Sequence, residues 1–270
     1  MEEPRSPFAA LDDQADRLRA GLIAYLDGTA ANAEIRRMRA EALALLAPRP
    51  GERLLDAGCG AGEVARALGA AVGPTGAVVG LDLSRDAVAV AESRADGGPV
   101  RYAVGDVTAL DFPDGYFDAV RTERVLQHLP EPDAAVAELA RVTRAGGRVC
   151  LIDTDWAGLM IEGVDGRATA RLLAEAERIG FRLGRSGREL RGRLVRAGLA
   201  GVVARPVPLV FTDPAEAAQV LPMLQRDDVP PPPGMAPAVL AEFHAAVAAA
   251  AAADALLIAL PIWVALGTVR

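Results

Sequence analysis

Leu54-Leu55-Asp56-Ala57-Gly58-Cys59-Gly60-Ala61-Gly62-Glu63 sets an apolar run directly before a turn with glycine at every second position, and a helical segment follows. Glycine reaches positive φ without steric cost and has no Cβ, so this turn lets a ligand lie against the main chain. The helix behind it offers its first N–H groups to the same point. Strand, glycine turn and helix in that order predict an α/β fold that binds its ligand beyond the C-terminal ends of parallel strands.

The alternation continues downstream. Apolar runs at Arg53–Ala57, 77–81, Val100–Val104, 117–120 and 148–152 read as strands, with helices over Glu63–Val72, 86–96 and 133–143 between them. Strict alternation predicts parallel strands joined by right-handed crossovers, with helices on both faces of the sheet. Ahead of this core, residues 7–46 carry apolar side chains such as Leu18, Leu22, Leu26, Met38 and Leu46 at helical spacing, until Pro48, Pro50 and Gly51 stop the pattern. After Asp153 the pattern loosens into helices over 164–181 and 188–197, a strand over 202–210, an Ala-rich helix and a closing strand. Residues 211–235, with proline at 222 and 230–233, read as an inserted semi-rigid loop.

Composition removes several functions. The 270 residues are 51% hydrophobic and carry a net charge of -7, so neither nucleic acid nor an anionic membrane is the expected partner. All 29 basic residues are arginine, which excludes a Schiff-base lysine and a lysine-containing phosphate loop. Cys59, Cys150, His128 and His244 are too few and too scattered for a zinc cluster. The first residues are acidic and lack an apolar core of signal-peptide length, so a cytoplasmic protein is expected. Residues 245–269 are nearly free of charge, but Asp254 and Pro261 interrupt them, and a helix followed by a buried strand is expected rather than a membrane span.

The cofactor is ambiguous at first. Gly60-Ala61-Gly62-Glu63-Val64-Ala65 satisfies the dinucleotide fingerprint G-x-G-x-x-[GA], and Asp82, 22 residues after Gly60, suits a ribose diol. Three features lean the other way. Asp56 and Gly58 begin the alternation earlier, as D-x-G-x-G-x-G; Val104-Gly105-Asp106-Val107 puts an acid after the third strand; and residues 117–132 with 144–149 add a further pattern. Together these resemble the motifs of class I S-adenosylmethionine-dependent methyltransferases, in the branch that includes ubiquinone and menaquinone methyltransferases. The resemblance spans about residues 53–153.

That resemblance implies a Rossmann-like, mostly parallel seven-stranded sheet with helices on both faces. It divides the chain into an N-terminal helical lid (1–50), a cofactor-binding core (51–155), and a remainder of the same domain with acceptor-pocket insertions and closing strands (156–270). It implies S-adenosylmethionine as cofactor, with Asp56, Gly58, Cys59 and Gly60 around the methionine part, Asp82 on the ribose, Leu83, Asp106 and Val107 at the adenine, and Thr122 near the sulfonium. The partner it implies is a small-molecule acceptor; the oligomeric state stays open, a homodimer included.

On the acceptor side, His128 and Glu123 are the candidate bases, because an imidazole or carboxylate at the strand ends can take a proton from a phenol, enol or amine. Each could equally be structural. Asp153 and Asp155 follow the fifth strand, without companions for a metal site. Arg182, Arg185, Arg188 and Arg191 recur every third residue and read as a solvated face. Arg124 and Gln127 depart from the resemblance, where a small residue and a second histidine are expected. An NAD-dependent oxidoreductase, or a protein that binds S-adenosylmethionine for cyclisation or regulation without methylating, are the alternative readings.

Overall fold

The computed structural model describes residues 16–178, 184–224 and 235–270, with side chains 16–22 and 177 left aside. Its centre is one sheet built from β1 (Arg53–Ala57), β2 (Ala77–Asp82), β3 (Val100–Val104), β4 (Phe117–Glu123), β5 (Thr143–Thr154), β6 (Met160–Glu162), β7 (Ala200–Phe211) and β8 (Leu257–Thr268). The first five run parallel in the order β3-β2-β1-β4-β5. The chain passes outward from β1 twice, so the order reverses between β1 and β4, where such sheets bind ligands.

β8 lies antiparallel to β5 through residues 262–268, and β6 continues that same edge of β8 at 257–259. β7 takes the other edge of β8. The sheet is therefore seven positions wide, as expected, with three-residue β6 as an eighth strand too short to show a period. Asp254 falls where the nearly uncharged tail changes from helix to strand, Pro261 lies within β8, and no described helix is long and apolar enough to cross a membrane.

The helices are α1 (Asp16–Ala31), α2 (Ala33–Leu46), α3 (Glu63–Val72), α4 (Arg85–Ser93), α5 (Pro132–Val142), α6 (Gly166–Arg178), α7 (Ser186–Arg196), α8 (Pro214–Ala218) and α9 (Pro237–Ala252). One face of the sheet is covered by buried side chains of α2, α3, α6 and α9, among them Met38, Leu68, Leu172 and Phe243. The other is covered by α5 and α7 through Leu139, Leu190 and Leu194. Leu54 and Leu55 point to opposite faces, as neighbours in a strand must.

The helical pattern over 7–46 is realised, in its described part, as two helices. Asn32 breaks it: extended at ψ 134°, it accepts the Glu34 and Ile35 N–H groups through Oδ1 and starts α2. Its Nδ2 donates to Glu216 O and Gln219 Oε1, while the Tyr25 and Thr29 hydroxyls donate to Val220 O and Gln219 O. The first helices are thus bonded to the 213–220 segment. That segment, expected as loop, forms the short helix α8, capped by Asp213 with Pro214 at its first position. Residues 7–15, 179–181 and the prolines 230–233 lie outside the described residues.

Asn32→Ala removes both the cap and the tie to α8. We expect a loss of roughly 1–2 kcal/mol, seen as a lower denaturant midpoint with unchanged slope.

Candidate active site at the glycine turn

The glycine turn is fastened to the next strand. Gly58 N and Cys59 N both donate to Leu81 O, at 2.6 and 3.0 Å. Gly58, Gly60 and Gly62 all have positive φ (78°, 51° and 78°), but their surroundings differ. A Cβ on Gly58 would fall 2.1 Å from Val125 Cγ2, and one on Gly62 would fall 2.6 Å from the Tyr102 hydroxyl. Those two are glycine for packing. At Gly60 a Cβ would meet, among the described residues, only Leu26 Cδ1 of α1 at an ordinary 3.7 Å, so unlike its two neighbours this glycine leaves space beside the turn.

Asp82, at the end of β2, faces that space. Its Oδ2 accepts Gly60 N at 2.8 Å and its Oδ1 accepts Ser84 N at 3.0 Å. Burial raises its carboxyl, moderated by these N–H groups. Leu83 beside it is 51% exposed, unusual for a leucine and suited to a flat apolar ligand. Asp106 is exposed; its Oδ1 accepts both the N–H and the hydroxyl of Thr108, while Val107 is buried beneath. Cys59 is buried, and burial pushes its thiol up, so it is inert.

Behind the turn lies a buried ion cluster. Arg121, in the middle of β4, donates from Nη1 to Asp56 Oδ1 at 2.7 Å and from Nη2 to Glu123 Oε2 at 2.6 Å. Asp56 and Arg121 are register partners on β1 and β4. Arg39, from α2, donates from Nε and Nη2 to Glu123 and from Nη1 to Glu63. Burial acts to raise Glu123, but Arg39, Arg121 and Arg124 outweigh it and hold its carboxyl well below the usual range. Burial pushes Asp56 up against the pull of Arg121, and its Oδ2 is buried with no hydrogen-bond partner.

A second polar group sits at the ends of β4 and β5. Asp153 Oδ2 accepts Gln127 N and the Ser186 hydroxyl, and its Oδ1 accepts Thr154 N. Burial lifts its carboxyl to about 6 against those bonds. Trp156 Nε1 donates to Gln127 Oε1, which fixes the amide so that Gln127 Nε2 donates to His128 Nε2 at 3.2 Å. That ring nitrogen is therefore an acceptor, and the proton sits on Nδ1. Burial, then the charge of Arg124, lowers His128 to about 4.

Residues 55–151 match the family model of the methyltransferase domain. Over that stretch the chain resembles class I S-adenosylmethionine-dependent methyltransferases. A relative described as an uncharacterized 37.1 kDa protein in transposon TN4556 of Streptomyces fradiae is 39% identical over 209 residues, 76% of this chain and 59% of that protein. The ubiquinone/menaquinone biosynthesis C-methyltransferase of Burkholderia orbicola is 37% identical over 107 residues, 39% of this chain and 44% of that enzyme. The chain thus spans about half the length of these curated relatives. The crystal structure of YcgJ from Bacillus subtilis shares the fold, with a TM-score of 0.57 at 21% identity, covering 85% of this chain and 98% of that one.

Of the residues singled out in the sequence, the structure bonds Gly60 to Asp82 across the glycine turn. Leu83 follows Asp82 and is exposed, and Asp56 is buried close enough for its charge to act on Asp82. Thr122, in register with Ala57, is fully buried in β4 with its hydroxyl unpartnered among the described residues. Asp155 turns to Arg188, and among the described residues no group of three or more His, Cys, Asp or Glu could hold a metal. Of the arginine series, Arg182 lies outside the described residues, while Arg185 and Arg191 are exposed as expected.

Arg121 and Arg39 were missed. The strand was expected to end at Val120, because charged residues followed; instead β4 runs to Glu123 with those charges buried. Period-two spacing from Ala119 to Arg121 and Glu123 was the available signal. Nothing local pointed to Arg39.

Arg121→Met leaves Asp56 and Glu123 buried without their shared partner; we expect a loss of about 3–5 kcal/mol in denaturant unfolding. A second outcome concerns pH. His128 is held neutral in the fold, so below about pH 6.5 the unfolded chain takes up the proton first, and stability falls as pH drops toward 4. Asp153, raised to about 6, works in the opposite sense over the same window. The stability difference between wild type and His128→Asn should therefore grow with pH from 4 to 6.5, by roughly 2–3 kcal/mol at most.

Proposed function

We propose that the protein is an S-adenosylmethionine-dependent methyltransferase of a small apolar or aromatic metabolite, acting in the cytoplasm by direct displacement. Bound S-adenosylmethionine supplies an electrophilic methyl group on a sulfonium. The observation that carries the reading is the Asp82 carboxylate, bonded across to Gly60 N beside an open slot under α1 and next to exposed Leu83.

The residues present fit that cofactor. Asp82 would hold the ribose hydroxyls, with Leu83 and Asp106 at the adenine end and Val107 as the floor there. Gly60 and the unpartnered Asp56 Oδ2 would take the amino-acid end, whose ammonium is a suitable donor. The protein's share of the rate would be alignment and water exclusion rather than bond-making by a side chain. Glu123 and His128 serve, in this reading, to position their neighbours: Glu123 is occupied by arginines, and the His128 Nε2 lone pair is occupied by Gln127. The net charge of -7 agrees with a small acceptor rather than nucleic acid.

Calorimetry with S-adenosylmethionine, S-adenosylhomocysteine and NAD tests the reading. The two sulfur compounds should bind and NAD should not; Asp82→Ala should weaken binding by about 1.5–3 kcal/mol, roughly 10- to 150-fold. Asp82→Asn, which keeps an acceptor for Gly60 N, guards against simple unfolding. Binding of NAD alone would overturn the reading. Release of S-adenosylhomocysteine with a competent acceptor separates a transferase from a cyclase or binding protein.

A further inference from the structure

Arg124 follows β4 at the C-terminal edge of the sheet with φ 56°, a left-handed backbone that disfavours any residue with a Cβ. Its own N–H, donated to Ile152 O at 2.8 Å, holds it there. The side chain is 15% exposed, and Nε is buried without a hydrogen-bond partner. Strain of this kind at a ligand edge points to a job for the side chain.

No carboxylate among the described residues satisfies the guanidinium. Glu123 Oε1 is nearest at 3.7 Å and is already bound by Arg39. Asp153, on β5, is taken by Ser186, Thr154 and Gln127. His128, on the turn after β4, is neutral. Arg39, Arg121 and Arg124 surround Glu123, while Arg121 also pairs with Asp56 and Arg39 with Glu63; Asp153 acts on Arg124 only through its charge. The Arg124 guanidinium thus lies between the ion cluster and the His128 group, with its Nε unbonded among the described residues.

We propose that Arg124 is the acceptor's anion site, pairing with a conjugated oxyanion, a phenolate or enolate, that enters already ionised. The inference rests on the methyltransferase reading and deepens it. The acceptor oxygen's lone pair forms the new C–O bond as the S–C bond breaks and leaves its pair on sulfur. The acceptor's negative charge and the sulfonium's positive charge cancel, and the proton has already gone to solvent. No protein base is needed, in keeping with the occupied Glu123 and His128.

4-Nitrophenol, coloured only when ionised, reports on the site. Added to protein loaded with S-adenosylhomocysteine, it should bind with its apparent pKa lowered by about one unit. Arg124→Lys should keep most of that shift and Arg124→Asn should abolish it. Asparagine accepts left-handed backbone, so Arg124→Asn should melt no lower than wild type, whereas a purely structural arginine would cost stability. An unbound or unshifted probe in loaded wild type, or an unchanged shift in Arg124→Asn, overturns the inference. So does a tenfold or greater loss of S-adenosylhomocysteine affinity in Arg124→Asn, which would assign the arginine to the cofactor. Wild type that fails to bind S-adenosylhomocysteine refutes the methyltransferase reading itself, and this inference with it.

Discussion

The guanidinium of Arg121, sealed in the middle of the sheet, has to be neutralised where water cannot do it. A buried charge costs several kcal/mol unless it is paired and hydrogen-bonded; here Asp56 and Glu123 pair with it, and Arg39 in turn pairs with Glu123, so the cluster ties three elements together. Asp56 arrives on β1, Glu123 on β4 and Arg39 on α2, with Arg39 bridging on to Glu63 at the start of α3. Satisfying that one charge fixes the register of β1 on β4, the seat of α2 on the sheet, and the first turn of the helix behind the glycines.

The same cluster sets the chemistry available in front of it. A carboxylate shared among three arginines is a poor proton acceptor, and a histidine whose lone pair is engaged and whose protonation is penalised by burial is little better. In the proposed reading, what remains at the edge is a set of hydrogen-bond acceptors toward the cofactor and the Arg124 cation toward the acceptor. Such a site works by holding groups in line and keeping water out.

The first two helices and the late segment form one structure over this edge. Tyr25, Thr29 and Asn32 bond to 216–220, and Leu26 stands over Gly60. Segments nearly two hundred residues apart in sequence are bonded directly, so the cover over the slot depends on both. α2 is more than a cover: Ile35, Met38, Ala42 and Leu46 are buried in the core itself.

Much was legible in the sequence alone. Glycine alternation after an apolar strand, acids at the ends of β2 and near β3, and the strand-helix rhythm are local signals, and local signals report backbone conformation directly; they placed β1, α3 and β3 at the observed boundaries and located Gly60, Asp82 and Leu83. The sequence could not say that Gly58 and Gly62 are glycine because of Val125 and Tyr102, since those contacts join residues 40 or more positions apart. Nor could it reveal that β4 continues through Arg121 to Glu123, because charge argues for exposure until a partner is known. Arg39, Asp56 and Arg121 belong to different elements, and only the tertiary fold joins them, Arg121 to Asp56 directly and Arg39 through Glu123; Coulomb energy depends on distance and on burial, and neither is written along the chain.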